Sequence, residues 1–161
     1  MSLDNEVPAE VKRTGMPVRI VREDPPSEVD IAHLRDALDS WNVATTGHND
    51  YARVAIFLRD ESDRIRGGIV GDIWARWLHV SHLWVEADLR RRGLGSQLLA
   101  DAEQYAAEQG CGNVHLDTFD FQAGPSFYRR HGYEVFGVLR DHPPGGTHFF
   151  LRKALSRPRR E

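Results

Sequence analysis

The sequence predicts an α/β (α+β) fold in which a central sheet of about seven strands is flanked by helices. The chain has 161 residues, of which 40% are hydrophobic and 28% charged, as is typical of a globular protein that folds without disulfides or a structural metal. Short apolar segments of strand length recur along the chain, and segments with helical periodicity fall between them. Together these observations favour one domain of mixed architecture.

The first half of the chain is predicted to form a strand, a helix and three further strands. Apolar residues at 18–21 favour the first strand, and Ser27 can cap the helix that follows. The apolar positions of this helix recur at helical spacing and are Ile31, Leu34, Leu38 and Trp41. The further strands are predicted at 52–58, 65–73 and 78–85, with a turn-rich segment at 45–50 and a hairpin turn at 60–63.

The second half is predicted to contain two helices and three strands. A helix from Gln97 has one apolar face and ends at Gly110. The remaining elements are a strand at 113–119, a short helix between Gly124-Pro125 and Gly132, and strands at 133–139 and 147–152.

We predict a single domain over residues 17–155, with a flexible arm at 1–16 and a disordered tail at 156–161. The N-terminal residues are polar, which argues against a secretory signal, and no apolar run approaches the roughly 20 residues of a membrane helix. Because Cys111 is the only cysteine, an intrachain disulfide is excluded, and a reducing cytoplasm is the expected location.

The charge balance and the histidines exclude several classes of protein. The formal net charge of −3 argues against a nucleic-acid partner, since general nucleic-acid binders are usually strongly basic. The histidines other than His79 and His82 lack metal-ligand spacing, so we predict no metal. We also predict no membrane partner.

A glycine-containing loop between the fourth strand and the second helix is the most informative motif. It reads Arg90-Arg91-Arg92-Gly93-Leu94-Gly95-Ser96. Glycines allow backbone N–H groups to approach an anion, and the helix dipole and three arginines add positive charge, so a diphosphate fits there. The alternative is a tight turn with solvated arginines. Leu98 excludes the G-x-G-x-x-G fingerprint, and no Gly-Lys-Ser/Thr follows as in a P-loop.

A second motif lies about 33 residues further on, where Phe127-Tyr128-Arg129-Arg130-His131-Gly132-Tyr133 ends the short helix. Together with Arg90-x-x-Gly93-x-Gly95 and the order of elements, it resembles the GCN5-related N-acetyltransferase (GNAT) superfamily, over about residues 17–155. The stretch at 119–137 is similar to a bacterial subgroup whose members are uncharacterised. The resemblance implies a mostly antiparallel sheet that is splayed between strands four and five.

The resemblance also implies that acetyl-CoA is the co-substrate and binds in that splay. Backbone N–H groups of residues 91–96 would hold its pyrophosphate, and the backbone of residues 83–85 would pair with its pantetheine. The implied binding residues are Leu83, Trp84, Val85, Arg90, Arg91, Arg92, Gly93, Leu94, Gly95 and Ser96. An Asn that is usual early in the family's last motif is absent, because Phe121-Gln122-Ala123-Gly124 stands there.

Candidate catalytic groups follow from direct attack of an amine on the thioester, which needs a proton acceptor and can use a donor. The resemblance implies Tyr128 as the donor and His79 as the base; the alternatives are that Tyr128 is an aromatic packing residue and that His79 is a hydrogen-bonded, half-buried histidine. Glu86, at the end of the fourth strand, is the second candidate for the base, and Asp117, on the fifth strand, is the third. A water chain could also take the proton. Alternation places His79 on one face with Ser81, Leu83 and Val85, and a bulge in this strand would reverse that relation.

The acceptor is expected to be a primary amine of a small molecule. In this superfamily the first helix region and the last β-hairpin loop build the acceptor pocket, which here points to residues 41–51 and 141–148. Trp74, Trp77 and Trp84 favour core or dimer packing, with an aromatic wall around the acceptor as the alternative. Other hypotheses are a non-catalytic acyl-CoA sensor and an enzyme that acetylates a protein or an aminoacyl-tRNA. A homodimer is compatible with this fold.

Overall fold

The computed structural model describes residues 18–122 and 124–155. The predicted arm at 1–16 and tail at 156–161 lie outside these residues. The chain divides into two compact units, Met1–Ser40 and Trp41–Glu161, and the prediction of one domain over 17–155 stays a prediction. No helix within the described ranges is long and apolar enough to cross a membrane.

The described part of the first unit contains an irregular segment and most of helix α1 (Glu28–Thr46). The Asp30 N–H donates to Ser27 Oγ over 3.2 Å, which confirms the predicted cap. The predicted strand at 18–21 is wrong: Val18 and Ile20 are 96% and 105% exposed, and no strand pairs with this segment in the described structure. Local β propensity does not make a strand without a partner.

The second unit contains a sheet of six strands in the described residues, one fewer than predicted. The strands are β1 (Ala52–Arg59), β2 (Ile65–Trp74), β3 (Trp77–Val85), β4 (Asn113–Phe119), β5 (Glu134–Arg140) and β6 (Thr147–Ala154). Their order is β1-β2-β3-β4-β6-β5, and only the β3–β4 pair is parallel. The predicted mixed, mostly antiparallel sheet is therefore confirmed.

Two α-helices of this unit form one buried core together with alternate residues of the strands. They are α2 (Leu94–Glu108) and α3 (Gly124–Arg130), and a short 3-10 turn at Ala87–Leu89 precedes α2. α2 begins before the predicted Gln97, because Gly93 already takes the left-handed conformation that starts it. Leu98 and Leu99 of α2 pack in the same cluster as Tyr128 of α3. This packing defines a helix-covered face of the sheet and an opposite face.

Strands β3 and β4 diverge part-way along their length, as predicted for strands four and five. Four parallel residue pairs join them, from Trp77 with Asn113 to Val80 with Leu116. β3 continues to Val85 and β4 to Phe119 with no further pair between them. The two strands thus form a fork whose base is the Val80–Leu116 pair.

A β-bulge at Ser81 changes which side chains of β3 share a face. Val70 pairs with His82, and Gly71 pairs with Val80, so Ser81 is the extra residue. Leu78 and Val80 are buried before the bulge, whereas Leu83 and Val85 pack against the core after it. The bulge predicted as the alternative is therefore present, and simple alternation is wrong, since His79 lies on the face opposite to Leu83 and Val85.

Gly71 permits the close approach of β2 and β3 beside this bulge. A Cβ on Gly71 would lie 2.4 Å from the His79 carbonyl oxygen and 3.1 Å from Leu78 Cδ1. We expect Gly71→Ala to lower the free energy of unfolding by about 2 kcal/mol, because the two strands must separate. Urea denaturation measures this change. Gly112→Ala is the matched control, since nothing lies within 4 Å of its added Cβ, and equal stability of the two variants would contradict the expectation.

Candidate active site

The loop from Arg90 to Ser96 presents the N-terminus of α2. Gly93, with φ +82°, caps the helix in the left-handed conformation, and its carbonyl accepts the Gln97 N–H over 3.0 Å. The first N–H groups of a helix lack intrahelical partners, so this end can bind an anion. The Arg90 Nε donates to the Val85 carbonyl over 2.8 Å and links the loop to the end of β3. Arg91 and Arg92 are exposed.

The two motifs recognised in the sequence are in direct contact. Ser96 Oγ lies 3.0 Å from His131 Nε2, which joins the start of α2 to the end of α3. A Cβ on Gly95 would meet the Phe127 ring at 3.7 Å, so this glycine also lies against α3. The loop and the helix that carries Tyr128 therefore form one packed unit.

Tyr128 is buried between aromatic rings in α3. Its ring packs edge-on against Phe127 at 5.0 Å and against Tyr133 at 5.7 Å. Burial, followed by the negative charge of Asp117, raises the pKa of Tyr128 to about 12. The hydroxyl group therefore stays protonated at neutral pH and can donate a hydrogen bond.

Asp117 is the first residue of β4 beyond the last β3–β4 pair, so it lies at the mouth of the fork. Its Oδ2 lies 2.7 Å from His148 Nε2, and its Oδ1 lies 4.0 Å from His79 Nε2. His79 stacks on His115, its cross-strand partner, with ring centroids 4.6 Å apart. The fork thus gathers a carboxylate and three imidazoles.

His115 was missed as a site residue in the sequence, and His148 was predicted only as part of the acceptor segment 141–148. His115, Asp117 and Phe119 alternate along β4, which is a signal for one shared face. The link to His148 depends on the register of β4 with β6, which local patterns do not encode. Burial, with some contribution from His79, lowers the pKa of His115, although Asp117 opposes this shift. The buried Nδ1 of His148 has no hydrogen-bond partner in the described structure.

Glu86 is held by two arginines at the end of β3. Arg66 Nε donates to one carboxylate oxygen, and Arg64 Nη2 donates to the other over 2.7 Å. Arg66 also donates to Asp88 over 2.7 Å. The hydrogen bond from Arg66, and then that from Arg64, hold the pKa of Glu86 below its usual value despite partial burial. Such a carboxylate is a weak proton acceptor, and its contacts instead fix the entry to the loop.

An aromatic cleft of about 320 Å³ opens beside His79. We use this name for the cleft lined by Asp72, Trp74, Ala75, Trp77, His79 and His115. Trp74 and Trp77 are 40% and 36% exposed, and Trp84 is also exposed, so these three residues are not part of the core of this chain, and their packing in a dimer stays a prediction. Within residues 18–122 and 124–155, no group of three or more His, Cys, Asp or Glu residues is arranged to hold a metal ion.

The residues that form the fork and its loop lie largely within one sequence match. Residues 52–135, more than half of the chain, match the family model described as an acetyltransferase (GNAT) domain. The chain belongs to the GNAT acetyltransferase family. The family predicted from the two motifs is therefore confirmed, and this acetyltransferase is an N-acetyltransferase enzyme.

Known relatives agree with this assignment. The acetyltransferase is 45% identical over 102 residues to blasticidin-S acetyltransferase of Streptomyces morookaense, covering 63% of this chain and 74% of the relative. The crystal structure of an acetyltransferase from Bacillus cereus ATCC 14579 is 33% identical, with a TM-score of 0.75, and the match covers 85% of this chain and 98% of that one. An aminoglycoside 6′-N-acetyltransferase complexed with coenzyme A shares the fold at 21% identity, with a TM-score of 0.57 and coverage of 68% and 76%.

Proposed function

We propose that this acetyltransferase transfers the acetyl group of acetyl-CoA directly to a primary amine of a small molecule in a ternary complex. The observation that carries the proposal is the fork between β3 and β4, with the N-terminus of α2 at one end and Asp117 at its mouth. The named blasticidin-S and aminoglycoside acetyltransferases among its relatives support a small-molecule acceptor.

Two features of the protein backbone at the fork suit acetyl-CoA. The N–H groups at the start of α2, with Arg91 and Arg92 nearby in sequence, suit the pyrophosphate. Along Leu83 to Val85, β3 has no pairing with β4, so its edge can pair with the amide groups of pantetheine. The side chains of Leu83 and Val85 pack against the core, which holds this edge in place.

The reaction needs a neutral amine that attacks the thioester carbonyl carbon. The C–N bond forms, the C–S bond breaks, and coenzyme A leaves as a thiolate. In our proposal the His79 imidazole takes the proton that the amine nitrogen loses, and the resulting imidazolium faces the Asp117 carboxylate at 4.0 Å.

Tyr128 is proposed to act on the departing thiolate. Its pKa of about 12 lies well above the roughly 8.5 of an ordinary thiol, so full proton transfer to the sulfur is unfavourable. We therefore infer that the hydroxyl group donates a hydrogen bond to the thiolate and stabilises the charge that develops there.

Glu86→Gln distinguishes a base from a residue that positions the loop. Gln cannot keep both charge-assisted hydrogen bonds to Arg64 and Arg66, so we expect the KM for acetyl-CoA to rise about 5-fold, with kcat and its pH profile unchanged. Steady-state kinetics at several pH values measure both. Glu61→Gln, in the exposed hairpin turn, is the matched control. A large loss of kcat with a changed pH profile would instead support Glu86 as the base.

The proposed function is tested by following free coenzyme A with a thiol reagent. The protein is mixed with acetyl-CoA and with polyamines, aminoglycosides, arylalkylamines, blasticidin S or a lysine peptide. We expect release above the rate without acceptor for a small-molecule amine. Release only with the peptide would support a protein acceptor, and binding of acetyl-CoA without release for any amine would support the sensor. Failure to bind acetyl-CoA would overturn the interpretation of the fork.

A further inference from the structure

We propose that the aromatic cleft binds a planar ring of the acceptor, so that the substrate is an amine carried on a short linker from an aromatic or heteroaromatic group. This inference rests on the proposed function and specifies its substrate class. It follows from the lining of the cleft, from its single carboxylate and from its position beside His79.

The lining of the cleft offers flat π surfaces. Trp74 and Trp77 pair directly across the end of the β2–β3 hairpin, so both indoles project on the same side. Large aromatic side chains are usually more buried than Trp74 and Trp77. The exposed faces of these two indoles can stack on a ligand ring. The His79 and His115 rings, only 14° from parallel, add a second flat surface. The volume of about 320 Å³ is within the range of small-molecule sites.

Asp50 fixes the turn of the β2–β3 hairpin that carries the two indoles. Its carboxylate accepts the N–H groups of Ala75 and Arg76, both over 3.1 Å. These two residues have positive φ values of 48° and 65°, so the turn is held in an unusual conformation by these bonds. The backbone positions of Trp74 and Trp77 are therefore set before any ligand binds.

Asp72 is the one carboxylate that lines the cleft, and its charge is already partly neutralised. Its Oδ1 accepts the Tyr51 hydroxyl over 2.7 Å and lies 3.4 Å from Arg53 Nε. This carboxylate can still accept a hydrogen bond from a ring N–H or amino group. A polyamine needs several uncompensated negative charges, which the lining of this cleft does not offer, so the cleft favours a ring over a polycation.

His79 belongs both to the cleft and to the histidine–carboxylate cluster at the fork. A ring that stacks on Trp77 would thus place an attached amine next to the proposed base, which is 4.0 Å from Asp117. This geometry requires a linker of only a few bonds between ring and amine. Amines without a ring lack the contact that would orient them there.

Matched acceptors separate ring stacking from simple hydrophobic binding. 2-Phenylethylamine and 2-cyclohexylethylamine have the same linker and similar size, but only the first is planar. We expect kcat/KM to be about 10-fold higher for the planar amine. In Trp77→Ala this preference should fall to about 2-fold or less through a higher KM for the planar amine, and Trp77→Phe should restore most of it. Phe57→Ala, another exposed ring on the sheet, is the control.

A binding measurement keeps this inference separate from the proposed function. Calorimetric titration with 2-phenylethylamine, without acetyl-CoA, measures binding of the ring independently of turnover. Binding to the wild type and its loss in Trp77→Ala would support the cleft even if no amine released coenzyme A, in which case only the proposed function fails. Turnover of both amines with equal kcat/KM, or an unchanged preference in Trp77→Ala, would overturn the inference.

Discussion

Replacement of His79 by alanine is expected to lower kcat about 100-fold at neutral pH and to remove the acidic limb of the pH–rate profile. An imidazole accepts a proton only in its neutral form, and histidine is the side chain that changes charge between about pH 5 and 8. Activity that depends on His79 should therefore fall as the pH decreases, and this dependence should disappear with the side chain. The profile of kcat against pH, measured with saturating substrates, checks this.

The control for this experiment is His82→Ala. His82 is an exposed histidine on the same strand, beyond the bulge, and its Nδ1 lies 3.0 Å from Ser81 Oγ. We expect it to keep kcat within about 2-fold. If His79→Ala retained the acidic limb, the proton acceptor would be another group, and Asp117→Asn would then test the carboxylate that faces both His79 and His148.

Tyr128→Phe is expected to lower kcat about 10-fold or more while the Kd for acetyl-CoA changes little. The substitution removes one hydroxyl group and keeps the ring that packs between Phe127 and Tyr133. The lost hydrogen bond forms only as charge develops on sulfur, so the effect belongs to the transition state rather than to binding. Turnover and calorimetric titration with acetyl-CoA measure the two quantities separately.

Tyr133→Phe shows whether loss of a buried hydroxyl group alone explains such a decrease. Tyr133 is buried in the same core, and its hydroxyl donates to Glu103 Oε1 over 2.8 Å, next to the 2.5 Å contact between Lys153 and Glu103. We expect this variant to lose about 1 kcal/mol of stability and to keep its kcat. Equal kcat values for Tyr128→Phe and the wild type would exclude Tyr128 from the mechanism.

Local sequence signals predicted the elements that depend on neighbours in the chain. The strand at 113–119 has the predicted bounds, and Gly110 and Gly132 follow the ends of α2 and α3 with φ values of 84°. The glycine loop and the second motif were sufficient to predict the family. Such signals work because caps, turns and periodicity are decided within a few residues.

Pairing between distant segments could not be predicted in the same way. The extra residue at Ser81 depends on Gly71, which lies on another strand and lets the backbones approach. The contact of Asp117 with His148 joins residues 31 positions apart through the β4–β6 register. The segment at 18–21 has strand-like composition but no pairing strand in the described structure, so composition misled the prediction there.

The short β3–β4 ladder has a thermodynamic consequence. Its four pairs are the only direct pairing between the β1–β3 half and the β4–β6 half of the described sheet. Under the proposed binding mode, acetyl-CoA pairs with the free edge of β3 and contacts Tyr128 in the other half, so the bound ligand adds contacts between the two halves. Affinity and folding stability are then linked: ligand at about 1,000 times its Kd adds about 4 kcal/mol. After each turnover, release of coenzyme A would return the protein to the less stable, ligand-free form.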